Sequence, residues 1–183
     1  MKSLAFVTTN NSKFRSFSLL FNLEDWSITQ EKMETPEIQS DSTESIAVNS
    51  AEFAANILNM PVVKEDVGLY ISSLSGFPGP FLNQIEKWFK NEDFERLLSD
   101  PSEHPAYWQY SIALTIPGHG TKVFTTRHYG TMTNKVRGSS GYISDKLFIP
   151  KGESKTIAEL LDEKIYQKKS THYLQLLNHL VTI

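Results

Sequence analysis

Short apolar blocks separated by polar turns open the chain. Leu4-Ala5-Phe6-Val7 is an unbroken apolar run, followed by Thr8-Thr9-Asn10-Asn11-Ser12, then Lys13 and Phe14, Phe17, Leu20 and Phe21 at helical spacing. The pattern predicts strand, polar turn and helix, with Asn11 and Ser12 as cap residues and backbone N–H groups aimed above the strand. A second strand is expected near Trp26 to Thr29, then a polar stretch from Glu34 to Asp41. The next helix should start near Ser42 or Ser45, bury Ile46, Phe53 and Ile57 with the small alanines between them, and stop at Met60-Pro61. Val62-Val63-Lys64 leads as a strand into Glu65-Asp66-Val67-Gly68, which sets two adjacent carboxylates at a strand end. Successive strand residues face opposite ways, so only one of the pair points straight into a given cleft.

Further on, Gly76-Phe77-Pro78-Gly79-Pro80 reads as a rigid turn, and Phe81 through Leu98 carries helical spacing broken near Asn91. Tyr107 to Ile116 and Lys122 to Tyr129 flank Pro117-Gly118-His119-Gly120, a hairpin signal. Gly138 to Pro150 is a loop ending in the apolar Leu147-Phe148-Ile149. Thr156 with Glu159 forms a capping-box pattern, and a last helix from about Thr171 carries Leu174, Leu177 and Leu180 or Val181. Early alternation of strand and helix with an antiparallel middle predicts an α/β fold, a mixed twisted central sheet with flanking helices. The length of 183 residues fits one domain, 1–183, in two lobes.

Composition narrows the function. Hydrophobic residues make up 39% and charged residues 21%, a globular balance. The net charge is −3 and the basic residues are scattered, which excludes the electrostatic footprint of a nucleic-acid polymer binder but leaves room for a nucleotide-sized ligand. There is no cysteine, so disulfides, thiolate metal sites and a Cys nucleophile are excluded, and any metal would be held by oxygen or imidazole. The Leu4–Val7 run is too short for a signal-peptide core or a membrane span, which makes the cytoplasm the default compartment. His104, His119, His128 and His179 show no ligand spacing, and Trp26, Trp88 and Trp108 read as core or interface aromatics.

Taken in order, several segments resemble the inosine/xanthosine triphosphate pyrophosphatase (Ham1-like) family. Val7-Thr8-Thr9-Asn10-Asn11-Ser12-Lys13 is similar to its opening motif, which implies that Thr8, Asn10 and Lys13 hold the triphosphate. Pro36-Glu37-Ile38-Gln39 looks like the segment with a metal-binding Glu, and Glu65-Asp66-Val67-Gly68-Leu69 like the acidic motif that supplies metal ligands and the general base. Gly76-Phe77-Pro78-Gly79-Pro80-Phe81 is close to the next motif. Gly141-Tyr142-Ile143-Ser144-Asp145 through Gly152, followed by Lys155 to Leu160, is similar to the base-recognition loop and the helix behind it.

The resemblance implies an Mg²⁺-dependent hydrolysis of a nucleoside triphosphate to the monophosphate and pyrophosphate in a cleft between the lobes. Glu37, Glu65 and Asp66 would hold the metal, with Asp66 and Glu65 as the catalytic carboxylates; Mg²⁺ prefers oxygen ligands and bridges carboxylates to phosphates. Tyr142 would stack on the base and Asp145 read its polar edge, with Lys164 and His172 also on the nucleotide. Pro80 to Trp88 matches a region the family uses for dimerisation, so a homodimer is expected.

The chain also departs from the family. Ser50 stands nearest the position of a helix lysine, and Thr171-His172-Tyr173 stands where the family carries Ser-His-Arg; no Arg follows Arg137. Lys168 or Lys169 would be the cations able to compensate. Two alternatives follow: a catalytically weakened nucleotide-binding paralogue, and a Maf-type pyrophosphatase preferring pyrimidine or modified nucleotides.

Overall fold

The computed structural model describes residues 2–100, 104–166 and 170–183. Lys168 and Lys169 therefore lie outside the described residues. The chain folds as two compact units: Met1–Val67, Tyr110–Thr126 and Ser170–Ile183 form one, and Gly68–Gln109 with Arg127–Lys169 the other.

The first unit is built on β1 (Lys2–Val7), which pairs in parallel with β2 (Trp26–Glu31) and with β3 (Val62–Ile71). Parallel strands covered on both faces need apolar residues at every position, and Leu4 to Val7 are all fully buried. The two faces sort by parity. Leu4 and Phe6 pack with Phe17 of α1 (Asn11–Ser18) and with Tyr173, Leu176, Leu177 and Leu180 of α6 (Thr171–Leu180). Ala5 and Val7 pack instead with Ala47, Ala51, Ala54 and Ala55 of α2 (Thr43–Leu58). Along β3, Val63 belongs to the first cluster and Val62 to the second, so alternation sends Glu65 toward α6 and both Lys64 and Asp66 toward the α2 face.

The α2 helix differs from its expected buried face. Ser42 caps it, accepting from the Ser45 N–H, and Asn59 ends it in the left-handed conformation, both near the expected ends. Its apolar contact is made by the alanines and Ile46, while Phe53 and Ile57 stay 38% and 57% exposed. Methyl side chains let the helix approach the sheet closely, and that turns the larger residues outward. In α6 the shift is similar: Leu176, Leu177 and Leu180 are buried, but Leu174 is 49% exposed.

The second unit holds β4 (Pro78–Gly79), antiparallel to the end of β3, then α3 (Leu82–Trp88) and α4 (Asn91–Leu97), which break near Asn91 as expected. β5 (His104–Ile116) and β6 (Gly120–Met132) extend the predicted hairpin at both ends. β7 (Phe148–Pro150) pairs antiparallel with β6, and the Thr156–Glu159 capping box opens α5 (Ile157–Asp162). Among the described residues the strands form one mixed sheet in the order β2-β1-β3-β5-β6-β7, with β4 on β3. No helix of the described residues is long and apolar enough to cross a membrane.

Candidate active site

The loop after β1 is organised by its own side chains. Thr8 Oγ1 accepts from the Asn10 N–H at 3.1 Å, and Asn10 Oδ1 accepts from the N–H groups of Ser12 and Lys13 at 2.9 and 3.2 Å. Asn10, one residue before the expected cap, is therefore the N-cap of α1, and those two donors are satisfied by it instead of being offered to a ligand. Thr8 is buried, whereas Asn10 is exposed.

Lys13 rises from this first turn to the acidic pair. Its Nζ stands 3.5 Å from Glu65 Oε1. Glu65 is buried, and its other oxygen accepts the Tyr173 hydroxyl in a very short hydrogen bond. Burial by itself opposes ionisation of Glu65, but Lys13 and the groups of α6 outweigh it and hold the carboxyl well below the usual range. The same contact, after burial, pushes the Tyr173 hydroxyl up. Tyr173 thus gives Glu65 a neutral donor.

Asp66 Oδ2 is buried and has no hydrogen-bond partner, while the unbonded oxygen of Glu65 faces the Lys13 ammonium. Burial raises the Asp66 pKa to about 7; Glu37 and Glu65 add to this and Lys13 opposes it. β3 continues to Ile71, so both carboxylates sit within a strand, not at its end as the pattern suggested. Their separation into one committed and one free group follows from strand parity.

Lys64, two residues before Asp66 on the same face, was not singled out by sequence reasoning. Its pKa is lowered by burial, against the pull of Glu37 and Asp66 and with the push of Lys13. The signal was available: a lysine inside an apolar strand, at i−2 to the acid. Glu37 itself is exposed, and its segment is pinned where Ser50 Oγ of α2, itself buried, donates to the Pro36 carbonyl at 3.3 Å. Among the described residues no three carboxylates or imidazoles already stand as a metal-holding cluster. The donor set nevertheless suits a hard cation, since Asp66 Oδ2 and Glu65 Oε1 are buried oxygens without hydrogen-bond partners.

His172 sits in the core of the first unit. It is 1% exposed, stacked on Tyr110 with ring centroids 5.0 Å apart, and its Nε2 lies 3.9 Å from Glu65 Oε2. That is too far for a hydrogen bond.

The predicted base-recognition residues lie in the second unit. Tyr142 is 69% exposed, and its backbone N–H donates to Asp145 Oδ2 at 2.9 Å. Gly141 takes a positive φ of +77°, and a Cβ there would meet that same oxygen at 2.5 Å, so only glycine lets the loop close on Asp145. Beside it Ser144 donates through N–H and Oγ to Glu86 Oε1, at 3.0 and 2.5 Å, a partnership with no sequence signal because 58 residues separate the two. Lys164 is exposed with a φ of 60°.

The chain matches the Ham1 family model over residues 4–173. It is 36% identical over 162 residues to a dITP/XTP pyrophosphatase of Korarchaeum cryptofilum, covering 88% of this chain and 86% of that one. To the dITP/XTP pyrophosphatase of Methanopyrus kandleri it is 34% identical over 160 residues, covering 87% and 85%. Among solved structures, a HAM1 protein from Coxiella burnetii superposes with a TM-score of 0.83 at 22% identity over 100% of both chains. Segment by segment, from the Thr8 loop to the Tyr173 helix, the chain belongs to the Ham1 family.

Proposed function

We propose that this protein hydrolyses inosine- and xanthosine-type nucleoside triphosphates, ribo or deoxy, to the monophosphate and pyrophosphate, as a cytoplasmic nucleotide-pool enzyme. The observation that carries the reading is Asp66: a buried carboxylate oxygen without a partner, pushed up to about 7, on a strand face shared with Lys64 and within the field of Lys13 and Glu37. A buried carboxylate oxygen without a partner is placed to take the proton of an attacking water.

Mg²⁺ held by Glu37 and Asp66, with Glu65 behind them, would neutralise phosphate charge and acidify a bound water. The chain's own groups do the rest. Lys13 and Lys64 bring positive charge to the polyphosphate, and Glu65 keeps the Lys13 ammonium in place at 3.5 Å. Thr8 and Asn10 shape the turn that presents Lys13. Asp66 accepts the proton of the water that attacks the substrate. Tyr142 offers an open ring for stacking, with Asp145 directed to the polar edge of the base and Lys164 to the nucleotide.

The names of the relatives favour purine over the pyrimidine preference of a Maf-type enzyme, and the retained Asp66 disfavours a mere binder. The molecule is read as a homodimer through the segment of Phe81 and Trp88, which are 43% and 73% exposed. The deciding experiment is pyrophosphate release from ITP, dITP, XTP, ATP, GTP and dUTP with and without Mg²⁺. Metal-dependent turnover of ITP or XTP at least tenfold above ATP supports the reading; equal or absent turnover of all six removes it.

A further inference from the structure

A cavity of about 660 Å³ opens in the first unit at the start of β1, the far end of that strand from the Thr8 loop. Six strand residues separate the two places by roughly 20 Å, and no residue of the candidate active site lines the cavity. Its volume falls in the range of about 300–1,000 Å³ occupied by small-molecule sites.

The walls are apolar: Trp26 from β2, Pro61 before β3, and Leu114 and Ile116 from the end of β5. The charged side chains on it are the lysines Lys2 and Lys122. Lys2 lies 5.4 Å from the centre of the Trp26 ring and donates to the Ile183 carbonyl. Lys122 lies 5.7 Å from the Phe124 ring, with its Nζ 3.4 Å from His179 Nδ1. His179, held below the ordinary imidazole range by burial and then by Lys122, stays neutral and can accept from that ammonium. No Asp or Glu is part of the lining; Glu52 is tied to the rim residue Thr121 at 2.8 Å.

An apolar wall alone selects nothing. A wall carrying an indole and the Lys122 ammonium, with no Asp or Glu among its residues, selects a flat apolar body with an anionic end. We propose that this cavity binds a small aromatic anion, its ring against Trp26, Leu114 and Ile116 and its carboxylate or sulfonate at Lys122. Such a ligand replaces water on the apolar wall, and its charge meets the exposed Lys122 ammonium at the rim.

The test uses the full chain and two probes of nearly identical shape: 8-anilinonaphthalene-1-sulfonate and its uncharged counterpart N-phenyl-1-naphthylamine. Titrations followed by fluorescence are run on the wild type, on Lys122→Ala, and on Lys151→Ala as an exposed-lysine control from the second unit. The expected result is saturable binding of one anion per chain, weakened roughly tenfold by Lys122→Ala, as loss of a charge-assisted contact does, and unchanged by Lys151→Ala. The neutral probe should bind at least tenfold more weakly, and ITP should not displace the anion. Equal binding of both probes, equal affinity in Lys122→Ala and wild type, displacement by ITP, or no saturable binding would each overturn the proposal.

Discussion

The hydroxyl of Tyr173 donates to Glu65 across 108 residues of sequence, and it does so inside the core. The tyrosine ring is packed edge-on against Phe6 and Phe17, so the donor is held by apolar neighbours as firmly as by its own bond. Tyr173→Phe keeps that packing and removes only the donor. A buried carboxylate oxygen then loses a partner, and the fold should lose about 1–3 kcal/mol at pH 7, read from urea denaturation of both proteins. Equal stability would mean that water replaces the hydroxyl.

Asp66 gives a pH signature in the metal-free protein. Its folded-state pKa, raised mainly by burial to about 7, lies above the ordinary 3.8, so the folded state binds more protons than the unfolded between those values. Stability must therefore fall as pH rises from about 4 to 7 on account of this group. Asp66→Asn removes the penalty: its Tm should exceed that of the wild type at pH 8, with the gap closing at pH 4.5, while pyrophosphate release is lost. A gap independent of pH in paired thermal scans would contradict the assignment.

Lys64 offers a test that separates binding from chemistry. Lys64→Met keeps an apolar stem in the strand and removes the desolvated charge, so stability should hold or rise. If its ammonium meets the polyphosphate, KM for ITP should increase about five- to tenfold with kcat altered less than about threefold, the mark of uniform binding. Steady-state kinetics at saturating Mg²⁺ decide between this and a purely structural lysine, which would move neither parameter.

Trp88 stands at the end of α3 with most of its ring in solvent. For a homodimer closed by this segment, Trp88→Glu should convert a dimer mass to a monomer mass in light scattering. The Tm should stay within a few degrees, since the residue contributes little to its own unit's core.

Much of this was legible in the chain because local rules dominate it: the fully apolar β1, the Ser42 and Thr156 caps, the helix break at Asn91 and the β5–β6 hairpin follow from short-range patterns. What escaped depends on partners far away. Parity along β3 indicated that Glu65 and Asp66 must face apart, but only the positions of α2 and α6 tell which of them is free. The alanines of α2 were expected on its buried face; that Phe53 and Ile57 turn outward beside them depends on how closely the helix meets the sheet. The loop cap fell on Asn10 and not Asn11, a shift of one residue that alters which N–H groups a phosphate can reach. The burial of His172 against Tyr110 is a property of the folded core that position in the sequence does not show.

The first unit is closed by residues 170–183, which the ribosome delivers after every other described segment. Its opening strands can pair early, but the α6 side of that sheet is covered only in part, by α1, until the last helix arrives, and Glu65 waits for Tyr173 in a half-built environment. Closing so long a loop adds little entropy beyond a short one, yet contacts of such separation slow folding. The second unit, encoded almost wholly between these halves, can finish first. Synthesis therefore imposes an order in which the strand carrying Asp66 reaches its finished setting last, so a nascent chain stalled before α6 holds the acidic pair without the contacts that tell the two carboxylates apart.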